Sequence, residues 1–258
     1  MSLATLAYVP NIPRLFPDSF LRNMRAYKTE YPVIFYSCSK QEGMELIPDP
    51  TPIKSSKNKV AIHNLVFLAG LKIAQDKGIK RFLYMELDTR VGCDYWDKLM
   101  FDEAEQHRDM FVAGTPACYN YKAMTPAHRA YTDEYLSNFK NESSFEVAHF
   151  PAKTIRPLGC VFIMGSGAIY NCDVMSDLFM GYERDAQNKA SKTPAFDLFI
   201  GLRCVQLFGV KAANKLPYLT KSFSTYSNKL TTEKERIEML KSGRAALIHQ
   251  VKSNTDCL

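Results

Sequence analysis

"RFLYMELDTRVGCDYW", residues 81–96, decides how the rest of this 258-residue chain is read. Phe82 to Met85 is an apolar run of the kind a buried strand supplies, and it breaks abruptly into Glu86, Leu87 and Asp88, then Thr89 and Arg90. Side chains at i and i+2 of a strand point the same way, so both carboxylates address one side. Like charges that close raise each other's pKa unless something positive lies between them. A divalent cation answers that need. The plainer alternative is a strand end that exposes two ordinary acids, since short motifs match by chance often.

Upstream, LATLAYV (3–9) and PVIFYSCS (32–39) read as strands, and SFLRNMRAYKTE (19–30) and VAIHNLVFLAGLKIAQDKG (60–78) as helices. The prolines of PNIPRLFPD (10–18) delay the first helix and Gly78 stops the second in C-cap position. IPDPTPIKSSKNK (47–59) is a polar surface loop. After the quoted stretch, YWDKLMFDEAEQH (95–107) is helical and DMFVAGTPA (109–117) a strand. This alternation predicts βαβ units in a mostly parallel sheet. It sets Glu86 and Asp88 at the C-terminal end of a central strand, the edge where ligands of open α/β sheets bind.

The second half is less regular. Residues 119–156, polar and rich in aromatics, read as an insertion with short helices. RPLGCVFIMGSGAIY (156–170) is a strand running into a glycine turn, followed by helices over 172–189 and 193–209, a short edge strand over 210–219, and a helix over 232–252. At 46% hydrophobic content the chain can bury a full core. With no internal repeat it is expected to be one domain, 1–258, with a nucleotide-binding half (1–118) and an acceptor- and metal-completing half (119–258). The net charge of +6 permits an anionic partner without demanding one. Seven cysteines, an odd number with no C-x-x-C spacing, argue against a zinc knuckle or a disulfide scaffold and point to a reducing cytoplasm. The N-terminal residues lack a basic n-region, and no apolar run reaches the roughly 18–20 residues of a membrane span. The expectation is a protein neither secreted nor membrane-embedded by its own sequence.

Three further constellations bear on function. ALIHQVKS (246–253) delivers His249 from an apolar approach, Ala245 to Ile248, and puts Lys252 three residues later. A neutral imidazole is the commonest metal-binding side chain and a lysine is a point charge suited to phosphate; a surface histidine beside a solvated lysine is the alternative. Gly165, Ser166 and Gly167 either let a backbone approach a ligand or make a tight turn with positive φ. Asp197, just inside a helix after a proline, is either a base or a residue complementing the helix dipole.

Taken in order, the βαβ half, the acid-x-acid strand end, the Gly/Ser turn, the Asp-led helix and the late His with Lys resemble the GT-A glycosyltransferases. These enzymes use nucleotide sugars and carry an acid-x-acid motif that is usually D-x-D. The resemblance implies an α/β, Rossmann-like, mostly parallel sheet flanked by helices. It implies that Asp88 binds Mn²⁺ or Mg²⁺, that Glu86 faces the ribose or the metal, and that His249 completes the metal shell. Lys252, and with it Arg90, would contact the diphosphate. Thr5, Ala7 and Val9 lie on the strand whose end holds the base, Gly165 and Ser166 on the turn lining donor sugar and acceptor, and Asp197 serves as base or sugar ligand. Two positions depart from the pattern: the first acid is Glu, and Phe196 stands where many members carry a second acid before Asp197.

The implied activity is transfer of a sugar, from a UDP-sugar foremost, to an acceptor hydroxyl. Basic residues interleaved with aromatics at 119–135 and 215–229 suit a polyanion, so a hydroxymethylated base in phage DNA is one acceptor, in a bacterial or phage-infected cytoplasm. A solvated basic face over packed tyrosines is the other reading of those segments. A nucleotidyltransferase would carry a glycine-rich loop after the first strand, where this chain has YVPNIPRLFP with no glycine. A nicotinamide-dependent oxidoreductase would need a complete G-x-G-x-x-G, and position 170 is Tyr. A non-catalytic nucleotide- or nucleic-acid-binding module stays open.

Overall fold

Side-chain alternation along the buried strands sorts the core into two layers. The computed structural model describes residues 2–10, 17–49, 59–106, 112–114, 116–118, 161–163, 165–173, 175, 196–197, 200, 219–223, 232–249 and 251. In chain order the elements are β1 (Leu3–Tyr8), α1 (Pro17–Ala26), β2 (Val33–Ser37), β3 (Glu45–Leu46), α2 (Lys59–Asp76), β4 (Arg81–Met85), β5 (Arg90–Val91) and α3 (Trp96–Glu105). They continue with β6 (Val112–Ala113), β7 (Pro116–Cys118), β8 (Val161–Ile163), β9 (Ala168–Asn171), β10 (Ser222–Phe223), α4 (Glu233–Lys241) and β11 (Leu247–Ile248).

Six strands form one sheet in the order β3-β2-β1-β4-β9-β6. β3, β2, β1 and β4 are parallel neighbours, while β9 runs antiparallel between β4 and β6. The fold is thus α/β with a mostly parallel central sheet, as the alternation predicts. Phe82 and Tyr84 of β4 face α2 and pack with Val66, Phe67, Leu71 and Ala74. Leu83 and Met85 face the other way, onto Phe20 and Met24 of α1 and Trp96, Met100 and Phe101 of α3. Burial of a large apolar side chain contributes about 1.5–3 kcal/mol, so these two layers hold the sheet between helices and fix where β4 ends.

Two expectations need correcting. The helix expected over 232–252 stops at Lys241. Its start is sound: Thr232 and Glu235 form a reciprocal capping box. Its end is set by Gly243 at φ 71°, a left-handed conformation that terminates helices. Residues 247–248 are instead strand β11, paired antiparallel with β5 and parallel with β10. Glu86 and Asp88, for their part, lie beyond the end of β4, in a turn closed by the Thr89 N–H donating to the Glu86 carbonyl at 2.9 Å. Strand alternation therefore does not account for their shared direction; the turn does. The insertion over 119–156 lies outside the described residues, as do most of the helices over 172–189 and 193–209 and the edge strand over 210–219. Among the described residues no helix is long and apolar enough to cross a membrane.

Candidate metal centre

The acidic turn between β4 and β5 is held from three directions. The Ser166 hydroxyl accepts the Glu86 N–H at 2.9 Å and shares a 2.7 Å hydrogen bond with the Thr89 hydroxyl. Arg90 donates to the carbonyls of Leu87 and Thr89, each at 2.8 Å, and to the Ser19 hydroxyl at 3.3 Å. From the far end of the chain, the Val251 N–H donates to the Asp88 carbonyl at 2.9 Å. A turn carrying two acids is self-repelling, and these backbone bonds set its shape independently of the carboxylates.

Pairing of β11 with β5 brings His249 onto this turn. Its Nε2 stands 2.8 Å from Asp88 Oδ1 and 3.8 Å from Glu86 Oε2. One ligand atom from each of the three residues lies within 4.8 Å of the others. His249 is buried, Glu86 and Asp88 partly so. Burial by itself would lower the His249 pKa, but the Asp88 carboxylate beside it, and Glu86 and Asp197 further off, raise it overall. Burial pushes the Asp88 carboxyl up, and the His249 charge and hydrogen-bonding reach outweigh this, so it lies below the usual carboxylate range.

The donor set fits a divalent cation. Asp88 Oδ1 and both ring nitrogens of His249 are buried with no hydrogen-bond partner among the described residues, although Nε2 and Oδ1 are so close. Asp88 Oδ1 and His249 Nε2 thus present a close pair of donor atoms, with Glu86 beside them, that a cation could share. With metal–ligand bonds of about 2.1 Å at right angles, neighbouring donors stand about 3.0 Å apart and opposite ones about 4.2 Å. The 2.8 Å separation is near the first of these and the 3.8 Å separation lies between the two. Two carboxylates suit Mg²⁺ or Mn²⁺, and the imidazole favours Mn²⁺.

His63, on α2, is the site neighbour that the sequence reading missed. Its Nδ1 is 3.1 Å from Glu86 Oε1. That hydrogen bond and the Glu86 charge push its pKa up to about 9 against the opposing effect of burial. The available signal is the polar pair His63-Asn64 breaking the apolar run from Val60 to Leu71.

The remaining expected site residues fall elsewhere in the architecture. Thr5, Ala7 and Val9 are at most 1% exposed, and Ala7 and Val9 belong to the core layer under α1 and α3. Their side chains are committed to packing, so only the strand's backbone end faces the acidic edge. Arg90 is 2% exposed and bonded to backbone carbonyls, which makes it a brace of the turn. Gly165 lacks a side chain because the Phe196 ring occupies the space: a Cβ there would lie 2.3 Å from Phe196 Cζ. Gly167 has φ 75°, the turn alternative for this motif, and Ser166 is 1% exposed and spent on the acidic turn. Phe196 stacks on Phe67 at 4.2 Å and 9°, and Asp197, partly buried, acts electrostatically on His63 and His249. Lys252 lies outside the described residues.

The topology and the acidic edge together define a GT-A-like glycosyltransferase fold. Among solved structures, the chain is similar to core-mannan synthase A from Aspergillus fumigatus in its Mn/GDP form, with a TM-score of 0.54, 15% identity, 85% of this chain and 73% of that chain covered. Weaker likenesses are to a glycosyltransferase involved in glycosylation of the major capsid of PBCV-1 (TM-score 0.44, 10% identity, 98% and 94% covered) and to mouse xyloside xylosyltransferase 1 in apo form (0.45, 12%, 96% and 97%). At these identities the likeness is one of fold. No protein-family model matches the sequence, and no curated protein does.

Proposed function

We propose that this chain is a divalent-metal-dependent glycosyltransferase, moving a sugar from a nucleoside-diphosphate sugar to an acceptor hydroxyl. The observation that carries the reading is the meeting of Glu86, Asp88 and His249 at the C-terminal edge of the parallel strands. Support comes from the pairing of this fold with Mn and GDP in core-mannan synthase A. The bound cation would offset the charge that builds on the departing diphosphate.

In this reading Asp88, His249 and Glu86 hold the ion, and the turn braced by Ser166 and Arg90 keeps the two acids convergent before it arrives. Lys252 lies three residues from His249 in sequence and supplies a phosphate contact. Asp197 takes the acceptor proton or holds the sugar. The chain acts as one catalytic unit, residues 1–118 furnishing the nucleotide half and 119–258 completing the metal and acceptor sides. A UDP-sugar is the donor the resemblance implies, and GDP-sugars are the necessary comparison given the nucleotide in the Aspergillus structure. DNA with hydroxymethylated bases remains the proposed acceptor to try first. Affinity for duplex DNA that does not fall with salt would remove it.

The test is a screen of UDP- and GDP-sugars with and without Mn²⁺, reading free nucleoside diphosphate. Release that requires Mn²⁺ and is lost in both Asp88→Ala and His249→Ala, with circular dichroism unchanged, is the expected result. Release at the parental rate in Asp88→Ala would refute the site. Tight binding of nucleotide sugar with no turnover on any acceptor would make the chain a binding module.

A further inference from the structure

The Glu86 carboxylate is divided between two tasks. Oε1 accepts the Tyr84 hydroxyl at 3.3 Å and meets His63 Nδ1 at 3.1 Å, while Oε2 turns to His249 Nε2 at 3.8 Å. A glutamate has one more rotatable bond than an aspartate, so an unheld Glu at a strand end would sample many poses and lose entropy on binding an ion. Here one oxygen is tied down from both sides. Tyr84 is fully buried, its ring edge-on to Phe67 at 5.2 Å.

Phe67 is also what fixes His63. The two residues are one helical turn apart on α2 and so share a face. Phe67 is wedged among Phe82, Tyr84, Tyr170 and Phe196 at ring separations of 4.2–6.1 Å. With Phe67 locked, α2 can neither rotate nor slide, and the imidazole one turn before it is carried over the end of β4. The side chain of His63 itself is 58% exposed, so core packing gives no reason for an imidazole there. Its contact with Oε1 does.

We infer that His63 is a positioning residue for the metal centre: with Tyr84 it holds Glu86 Oε1 and thereby presents Oε2 alone, as a single-oxygen ligand, to the cation shared with Asp88 and His249. This explains why Glu is accommodated as the first acid of the motif, since the added length is absorbed by a second anchor. The inference rests on the metal-centre reading above.

Mn²⁺ affinity of the full chain, measured by titration without any sugar nucleotide, separates the two. Outer partners of metal ligands typically alter affinity about 10–100-fold, and with His63 half in solvent the lower end applies, about tenfold weaker binding in His63→Ala. His63→Asn places an amide nitrogen where Nδ1 stands and should recover binding to within about threefold of the parent. Neither change should shift the melting temperature by more than a degree or two, since an exposed helix position is involved. A parent chain that binds no Mn²⁺ overturns the metal centre and this inference together. A parent that binds, with His63→Ala binding equally well, overturns the inference alone. Loss in both variants alike refutes the anchoring geometry.

Discussion

Gly165→Ala asks whether the Gly/Ser turn touches a ligand or makes room for a ring. Gly165 does not have a left-handed φ, so the cost of alanine is steric. The new Cβ would stand 2.3, 2.8 and 3.1 Å from Cζ, Cε2 and Cε1 of Phe196. Carbon atoms settle at about 3.5–4.0 Å, so the ring would have to retreat by about 1.2 Å or more. It has nowhere to go: one face is stacked on Phe67 at 4.2 Å and its neighbour Tyr84 stands edge-on at 5.6 Å and 88°, both fully buried. Overpacking of this kind costs about 1–3 kcal/mol. Taking about 2 kcal/mol, and about 2–4 °C per kcal/mol at this chain length, thermal unfolding should come about 4–8 °C earlier. In a Phe196→Leu background the same substitution should cost at least about 1 kcal/mol less, a coupling that a double-mutant cycle reads directly. Equal cost in both backgrounds would refute the packing account. An unchanged melting temperature with lost sugar-nucleotide binding would return Gly165 to the ligand.

The site should respond to pH in opposite directions with and without metal. A raised His249 pKa stabilises the apo fold fully below its unfolded value of about 6.5, and the benefit fades as pH climbs through the folded value. A lowered Asp88 pKa stabilises above its unfolded value of about 3.9 and fades as pH falls through the folded one. The pair thus contributes most to apo stability between about pH 4 and 6.5. Mn²⁺ competes with the His249 proton, so the rise in melting temperature on adding Mn²⁺ should grow from about pH 6 to 8.5; a constant increment would contradict it. Arg90→Lys should lower stability by about 1.5–3 kcal/mol in denaturant unfolding, because one ammonium cannot reach both the Leu87 and Thr89 carbonyls and the Ser19 hydroxyl, which the guanidinium serves from two nitrogens. A raised KM for sugar nucleotide with stability intact would restore its diphosphate contact. Ser166→Ala leaves the Glu86 N–H buried without its acceptor and should cost about 1–3 kcal/mol, with Mn²⁺ affinity falling alongside; loss of neither would show that the turn holds itself.

What could be read from residues alone was whatever periodicity and short-range chemistry encode. β1, β2 and β4 with α1 to α3 follow from apolar runs, proline placement and Gly78, and Glu86, Asp88 and His249 stood out as ligand types. Two-residue strands such as β5, β10 and β11 carry no period, so the 245–252 segment looked like helix until pairing with β5 decided it. His63 was hidden because its value comes from a tertiary partner 23 positions away. Arg90, Ser166 and Thr5 have the chemistry of ligand contacts, and their burial is a tertiary property with no local trace in the sequence. Gly165 shows the same limit, since a glycine demanded by a ring from residue 196 leaves no local trace.

The donor atoms of the centre belong to segments that meet only when β11 has docked against β5. An ion seated there would work as a clasp, tying the distal strand to the middle of the polypeptide. Occupancy then becomes a readout of tertiary completeness: a chain with residues 245–251 peeled away keeps the two acids and loses His249, and chelation should loosen amide protection in that strand before it touches β1 or β4.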